Sequence, residues 1–193
     1  MISLHPENKE YPKRGKLLIS EPFMDDPMFK RSVVLLCAHK DNEGSFGFVV
    51  NKYVELNLQE IISDFPSYQG KVALGGPVDN QSLYFLHTRK DLFPDCQEVT
   101  KGLYLGGSFD ILKQALNLKT IQSNEVRFFL GYSGWGKFQL KQELKEKAWL
   151  VSKETKPEFI MSYNDKSLWQ EALKDMGGDF AHLANFPEDP SLN

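Results

Sequence analysis

A chain of 193 residues with 41% hydrophobic and 25% charged side chains has the size and make-up of one globular domain, and it is too apolar to stay disordered. Its 23 Lys+Arg against 26 Asp+Glu leave a net charge of -3, and no long basic run gathers cations for phosphate neutralisation. Nucleic-acid binding is therefore not expected unless folding assembles a local patch.

No stretch is long and apolar enough to cross a bilayer, and Met1 to Glu7 have neither the basic nor the apolar region of a signal peptide. The expectation is a cytoplasmic protein away from membranes. The cysteines, Cys37 and Cys96, share no spacing with each other or with histidine that would collect tetrahedral metal ligands. Cys37 lies in an apolar run and reads as a buried thiol, whereas Cys96 follows Phe93-Pro94-Asp95 in a loop. Two free thiols suit a reducing compartment. No metal and no cofactor is indicated.

Residues 1–14 are polar, carry Pro6 and Pro12, and read as a lead-in arm to a domain over 15–184, with a tail over 185–193 marked by Pro187 and Pro190. Lys16 to Ser20 is the first expected strand, and Pro22 and Pro27 shape the connection after it. Ser32 to Ala38 is apolar at consecutive positions, as in a strand buried on both faces. Asp41-Asn42-Glu43-Gly44 signals a turn, with Phe46 to Val50 as the antiparallel return.

Leu58, Ile61, Ile62 and Phe65 fall at helical spacing, so a helix is predicted from Leu58 to Phe65, ended by Pro66. Strands follow at Lys71 to Leu74, Ser82 to His87 and Leu103 to Leu105. Ser108 is placed to cap a helix reaching Leu116. Glu125 to Leu130 reads as a strand, Gly131 to Gly136 as a glycine-rich loop, Phe138 to Lys147 as a helix and Trp149 to Val151 as a strand. Leu168, Trp169, Ala172, Leu173 and Met176 mark a last helix closed by Gly177-Gly178. Strand pairs without strict alternation with helices give the α+β class.

Gly131-Tyr132-Ser133-Gly134-Trp135-Gly136-Lys137-Phe138 nearly spells a phosphate-binding loop between strand and helix, but Phe138 lacks the hydroxyl that would hold magnesium. The same stretch falls short of a nucleophile elbow around Ser133, because Trp135 stands where the last glycine belongs. A turn shaped by glycine and clamped by two aromatics is the better reading. Gly75-Gly76-Pro77-Val78 and Gly106-Gly107 sit at strand ends, where paired glycines serve an anion nest or, more often, close packing. His39 and His87 lie near strand ends with no partner that sequence identifies. Lys141, Glu143, Lys145, Glu146 and Lys147 form the charged face of a solvated helix, and no helix-turn-helix pattern offers a DNA-reading element.

Taken together, Gly15-Lys16-Leu17-Leu18-Ile19-Ser20, Asp26-Pro27-Met28-Phe29, Arg31 to Leu36, Gly47 to Asn51, Gly75 to Val78, Leu86-His87, Leu130 to Trp135, Gln139-Leu140 and Ala148-Trp149-Leu150 are the phrases of one family. In their order and spacing the chain resembles the YqgE/AlgH family of bacterial proteins over nearly its whole length. The resemblance implies a small β-barrel-like, mostly antiparallel sheet flanked by helices. It also implies a label of transcriptional regulation to which no established activity or ligand is attached. Where that family tends to have glycine before the Gln-Leu pair, this chain has Phe138.

These readings converge on a non-catalytic module that binds a small molecule or a protein. The expected surface comprises Gly75, Gly76, Pro77, Val78, His87, Tyr132, Ser133, Trp135 and Gln139, and its glycine turns are expected to present exposed aromatics. The competing expectation is an enzyme acting on a phosphorylated or acyl substrate through Gly131 to Lys137. Direct DNA binding is not expected.

Overall fold

The computed structural model describes residues 6–153, 155–162 and 167–188. The first five residues of the expected arm and Pro190 of the expected tail lie outside them. In chain order the strands are β1 (Leu17–Ser20), β2 (Val33–Lys40), β3 (Gly44–Val49), β4 (Val72–Leu74), β5 (Val78–His87), β6 (Gln97–Thr100), β7 (Leu103–Leu105), β8 (Val126–Trp135) and β9 (Trp149–Val151). The helices are α1 (Leu58–Ile61), α2 (Phe109–Asn117), α3 (Gln139–Lys145), α4 (Pro157–Met161), α5 (Leu168–Met176) and α6 (Gly178–Leu183).

Eight of the strands form one sheet in the order β6-β7-β5-β8-β3-β2-β1-β9, every neighbour antiparallel, while β4 runs parallel to β8 off that path. The class is thus α+β with a mostly antiparallel sheet. The sheet curls without closing. Val99 of β6 and Leu103 of β7, at one end of the order, share a core with Leu17 of β1 and Leu150 of β9 at the other.

The unbroken apolar run of β2 has its cause in layers on both sides. Val33, Leu35 and Cys37 join Phe48, Phe129 and the apolar faces of α5 and α6. Val34 and Leu36 face the other way, into Trp135, Leu140 of α3 and Trp149. A further cluster packs α1 and α2 onto Val72, Phe85, Val126 and Phe128. Each fully buried side chain of this kind contributes about 1.5–3 kcal/mol. Cys37 is the extra residue of a bulge between the pairs Leu36–Gly47 and Ala38–Phe46, and burial pushes its thiol far above the ordinary range. Cys96 is half-buried against the α1–α2 cluster.

Several expectations are corrected. Residues 131–135 are strand, not loop: β8 pairs with β3 through Ser45–Trp135, Phe46–Gly134 and Gly47–Ser133, and with β5 through Val78–Tyr132. Two flanking ladders outweigh the weak strand preference of glycine. The helix expected from Leu58 to Phe65 stops at Ile61: Ile62 is already extended backbone and the chain turns through Ser63-Asp64 before Pro66. Gln97–Thr100 forms a strand that its polar composition conceals, and β5 begins at Val78 rather than Ser82. Helices α4 and α6 are additional to those expected.

Candidate functional site

Adjacent strands β3, β8 and β5 each send one ring to the same place. Phe46 stands opposite Gly134, and Tyr132 lies two residues from Gly134 on the same side of β8. Their ring centroids are 5.0 Å apart, and Tyr84 of β5 completes the group at 6.4 Å from Phe46 and 5.9 Å from Tyr132. All three rings are half-buried, resting on the buried Phe48 below. The absence of a side chain at Gly134 lets Tyr132 lie flat there, since an added Cβ would meet the ring Cε2 at 3.2 Å.

The rings line an open groove of about 1130 Å³ whose rim carries Val78, Gln97, Arg14 and the tip of the β2–β3 hairpin. At that tip His39 Nδ1 shares a 2.7 Å hydrogen bond with Ser45 Oγ, its cross-strand partner. Burial holds the His39 imidazole below its ordinary value of 6.5, with Asp41 opposing. His39 Nε2 is 3.6 Å from Asp41 Oδ1, beyond hydrogen-bond length, and the other Asp41 oxygen faces Lys141 Nζ at 3.4 Å. Burial, with the bond it donates to Asp79, raises the Tyr84 phenol above its ordinary value.

The expected site residues separate into three groups. Val78 and Tyr132 reach the groove, and Trp135 borders it. Gly75, Gly76 and Ser133 meet one another, but as packing: a Cβ on Gly76 would sit 2.2 Å from the Tyr132 carbonyl, one on Gly75 2.3 Å from the Gly131 oxygen, and the buried Ser133 hydroxyl donates to the Gly75 carbonyl at 3.0 Å. The Gly75 amide is bonded to the Leu130 carbonyl, so it forms no anion nest. Pro77 is exposed beside them.

Trp135 corrects the expectation of an exposed aromatic. It is buried against Phe29 and Trp149, and its indole donates to Glu143 Oε2 at 2.8 Å, as does that of Trp149 at 2.7 Å. Gln139 is exposed and ties the Gly136 amide to Glu143. His87 lies at the opposite end of β5 from Val78. It is fully buried, donating from Nε2 to the Gly106 carbonyl at 2.9 Å and accepting the Arg89 amide at Nδ1. Lys137 is exposed, with its ammonium over the Phe138 ring. The route to an enzyme through a loop at 131–137 therefore loses its loop.

Phe46 and Tyr84 were not singled out by sequence reasoning. The alternation Phe46-Gly47-Phe48 was the available signal, and only the pairing register turns it into a shared platform. Among the described residues, no three His, Cys, Asp or Glu side chains are gathered so as to hold a metal ion, and no helix is long and apolar enough to cross a membrane.

Comparison with known proteins gives a consistent picture. Residues 17–181 match the model of the family described as AlgH-like. A UPF0301 protein of Cytophaga hutchinsonii is 42% identical over 182 residues, covering 93% of this chain and 98% of that protein. A UPF0301 protein of Bacteroides thetaiotaomicron is 43% identical over 188 residues, covering 96% and 94%. The solution structure of the AlgH protein from Pseudomonas aeruginosa superposes with a TM-score of 0.71 at 26% identity, over 94% of this chain and 98% of that one. A crystal structure from Corynebacterium diphtheriae gives 0.76 at 18% identity over 93% and 95%, which speaks for the shared fold alone.

Proposed function

We propose that this chain, which belongs to the AlgH-like family, is a non-catalytic binding module with a regulatory role, taking a planar ligand or a ring-bearing protein segment in the groove of Phe46, Tyr84 and Tyr132. The observation that carries this reading is the three-ring platform itself. Rings on three neighbouring strands remain half-exposed, with Gly134 beneath Tyr132, instead of closing into the core. Aromatic faces held rigid by packing offer stacking at small entropic cost.

Reading of duplex DNA is not part of the proposal, because that needs an element projecting into a base groove, whereas this face is concave. The proposal also puts the chain in a reducing cytoplasm, supported by free Cys37 and Cys96.

The test is a saturation-transfer NMR screen of planar fragments, nucleosides and indoles among them, on the full chain and on Phe46→Ala and Tyr132→Ala. Fragments should receive saturation from the wild type and lose most of it with either variant. If the signals persist unchanged in both variants, the groove is not the site.

A further inference from the structure

Arg14 belongs to two depressions at once. On one side it lines the aromatic groove, and on the other a cleft of about 720 Å³ shared with Lys13, Lys16, Lys101, Lys153 and Lys156. Strand β6 runs along both, with Gln97 in the groove and Glu98 in the cleft. The cations come from three distant stretches: the approach to β1, the β6–β7 turn and the segment between β9 and α4. Folding brings them together where Gly15 presses against β6, so closely that an added Cβ would lie 2.8 Å from the Val99 carbonyl oxygen.

Lys16 is the inner member, with a side chain only 8% exposed and paired with Glu10. Lys13, Arg14, Lys101, Lys153 and Lys156 are exposed. Glu98 lies in the cleft, and Glu10, Glu171 and Asp175 line the adjoining depression that shares Lys13, Lys16, Lys153 and Lys156, so cations outnumber acids there without being alone; Glu154 lies outside the described residues. In a chain of net charge -3, this is a concentration of positive charge that no run in the sequence announces. Cations held at close quarters repel one another, and an anionic guest relieves that cost.

A basic cleft continuous with an aromatic platform is the arrangement that holds unpaired nucleic acid, with phosphates on the cations and bases against the rings. We infer that a single-stranded nucleic acid lies along this surface, its backbone in the cleft at Lys101, Lys153 and Lys156, its path turning at Arg14, and its bases on Phe46, Tyr84 and Tyr132. The inference rests on the groove being a binding site and names its ligand. Two depressions that meet at Arg14, the groove alone somewhat larger than the usual small-molecule pocket, fit an extended strand better than one nucleotide. Rings set in a concave sheet face admit bases only when these are unpaired.

The experiment is fluorescence anisotropy of labelled oligo-U and oligo-dT of about 12 nucleotides with the full chain, at about 50 mM and about 200 mM salt. Three to five phosphate contacts predict a roughly 20- to 100-fold loss of affinity between those salt concentrations. Lys101→Glu with Lys153→Glu should weaken binding at least about tenfold and flatten the salt dependence. Tyr132→Ala should weaken it about tenfold with the salt slope unchanged. Thermal unfolding checks that each variant folds, and the two oligonucleotides separate RNA from DNA as the source.

No binding of either oligonucleotide at low salt overturns the inference, as does full binding by the charge-reversed variant. Binding that Tyr132→Ala leaves untouched shows a polyanion patch only and also overturns it. If oligonucleotides fail while planar fragments still bind the groove, the ligand class is wrong and the site stands. Loss of both removes the site.

Discussion

Tyr132 lies over Gly134, two residues along the same strand, where a Cβ would come to 3.2 Å from the ring. The ring's position therefore depends on a hydrogen atom at residue 134. Gly134 is solvent-facing with non-positive φ, so a β-branched residue suits its backbone while lifting the ring. Gly134→Val should leave the melting temperature within a few degrees of wild type and weaken groove ligands about tenfold. Calorimetry and the fragment screen read the two effects separately, and unaltered fragment binding would break the link between Gly134 and the platform.

Phe138 holds φ at 59°, in the left-handed region, and the residue is 48% exposed. A non-glycine residue there costs on the order of 1 kcal/mol, and little burial repays it. Phe138→Gly should then raise stability by up to about 1 kcal/mol, less the greater entropy that glycine gives the unfolded chain. Equilibrium urea unfolding at fixed pH measures it, and a clear loss of stability would mean that the Phe138 ring contributes more than its exposure suggests.

What was legible in the sequence follows from where the information resides. The β2–β3 hairpin could be read because Val33 to Cys37 and the turn at Asp41 to Gly44 state it locally. Residues 131–135 misled because glycines and aromatics resemble a loop when the two strands that grip them are out of view. Strand β6 was missed because Gln97-Glu98-Val99-Thr100 buries little beyond Val99. Glycines 75 and 76 lie against Tyr132 and Ser133 as close packing, a purpose that paired glycines do not declare in sequence. The platform and the basic cleft join residues such as Phe46 and Tyr84, or Lys101 and Lys153, and such pairs carry no signal until the register is known.

His87 sets an acid limit on stability. Burial lowers its pKa from the ordinary 6.5, with the Gly106 carbonyl and Asp91 opposing, and a proton on Nδ1 would break the bond from the Arg89 amide. His39 is lowered as well. The unfolded chain thus takes up protons near pH 6.5 while the native one does not. This contribution to stability is complete above 6.5 and is lost as pH falls through the interval down to the native values. Urea midpoints should drop between about pH 7.5 and about pH 5.5, and His87→Gln should flatten the slope. An unchanged slope in that variant would assign the effect elsewhere.

Arg127 is fully buried in β8, where sequence offered only one polar residue among Val126, Phe128 and Phe129. One guanidinium nitrogen donates to the carbonyls of Ile160 and, at 3.1 Å, Ser162, while the other donates to the Val50 carbonyl and, at 2.6 Å, the Tyr53 hydroxyl. The Ile160 carbonyl belongs to the last turn of α4, a group that helix geometry leaves without an internal partner, so Arg127 caps that helix from within the sheet. Arg127→Met keeps most of the volume but strands several buried acceptors, each costing about 1–3 kcal/mol. The variant should lose about 3 kcal/mol or more in urea unfolding, with amide exchange quickening first in α4. Arg127→Lys should recover only part, since an ammonium lacks the planar fork that reaches both sides. Wild-type stability in Arg127→Met would mean that α4 is held by its apolar face, through Ile160 and Met161, without help from the guanidinium.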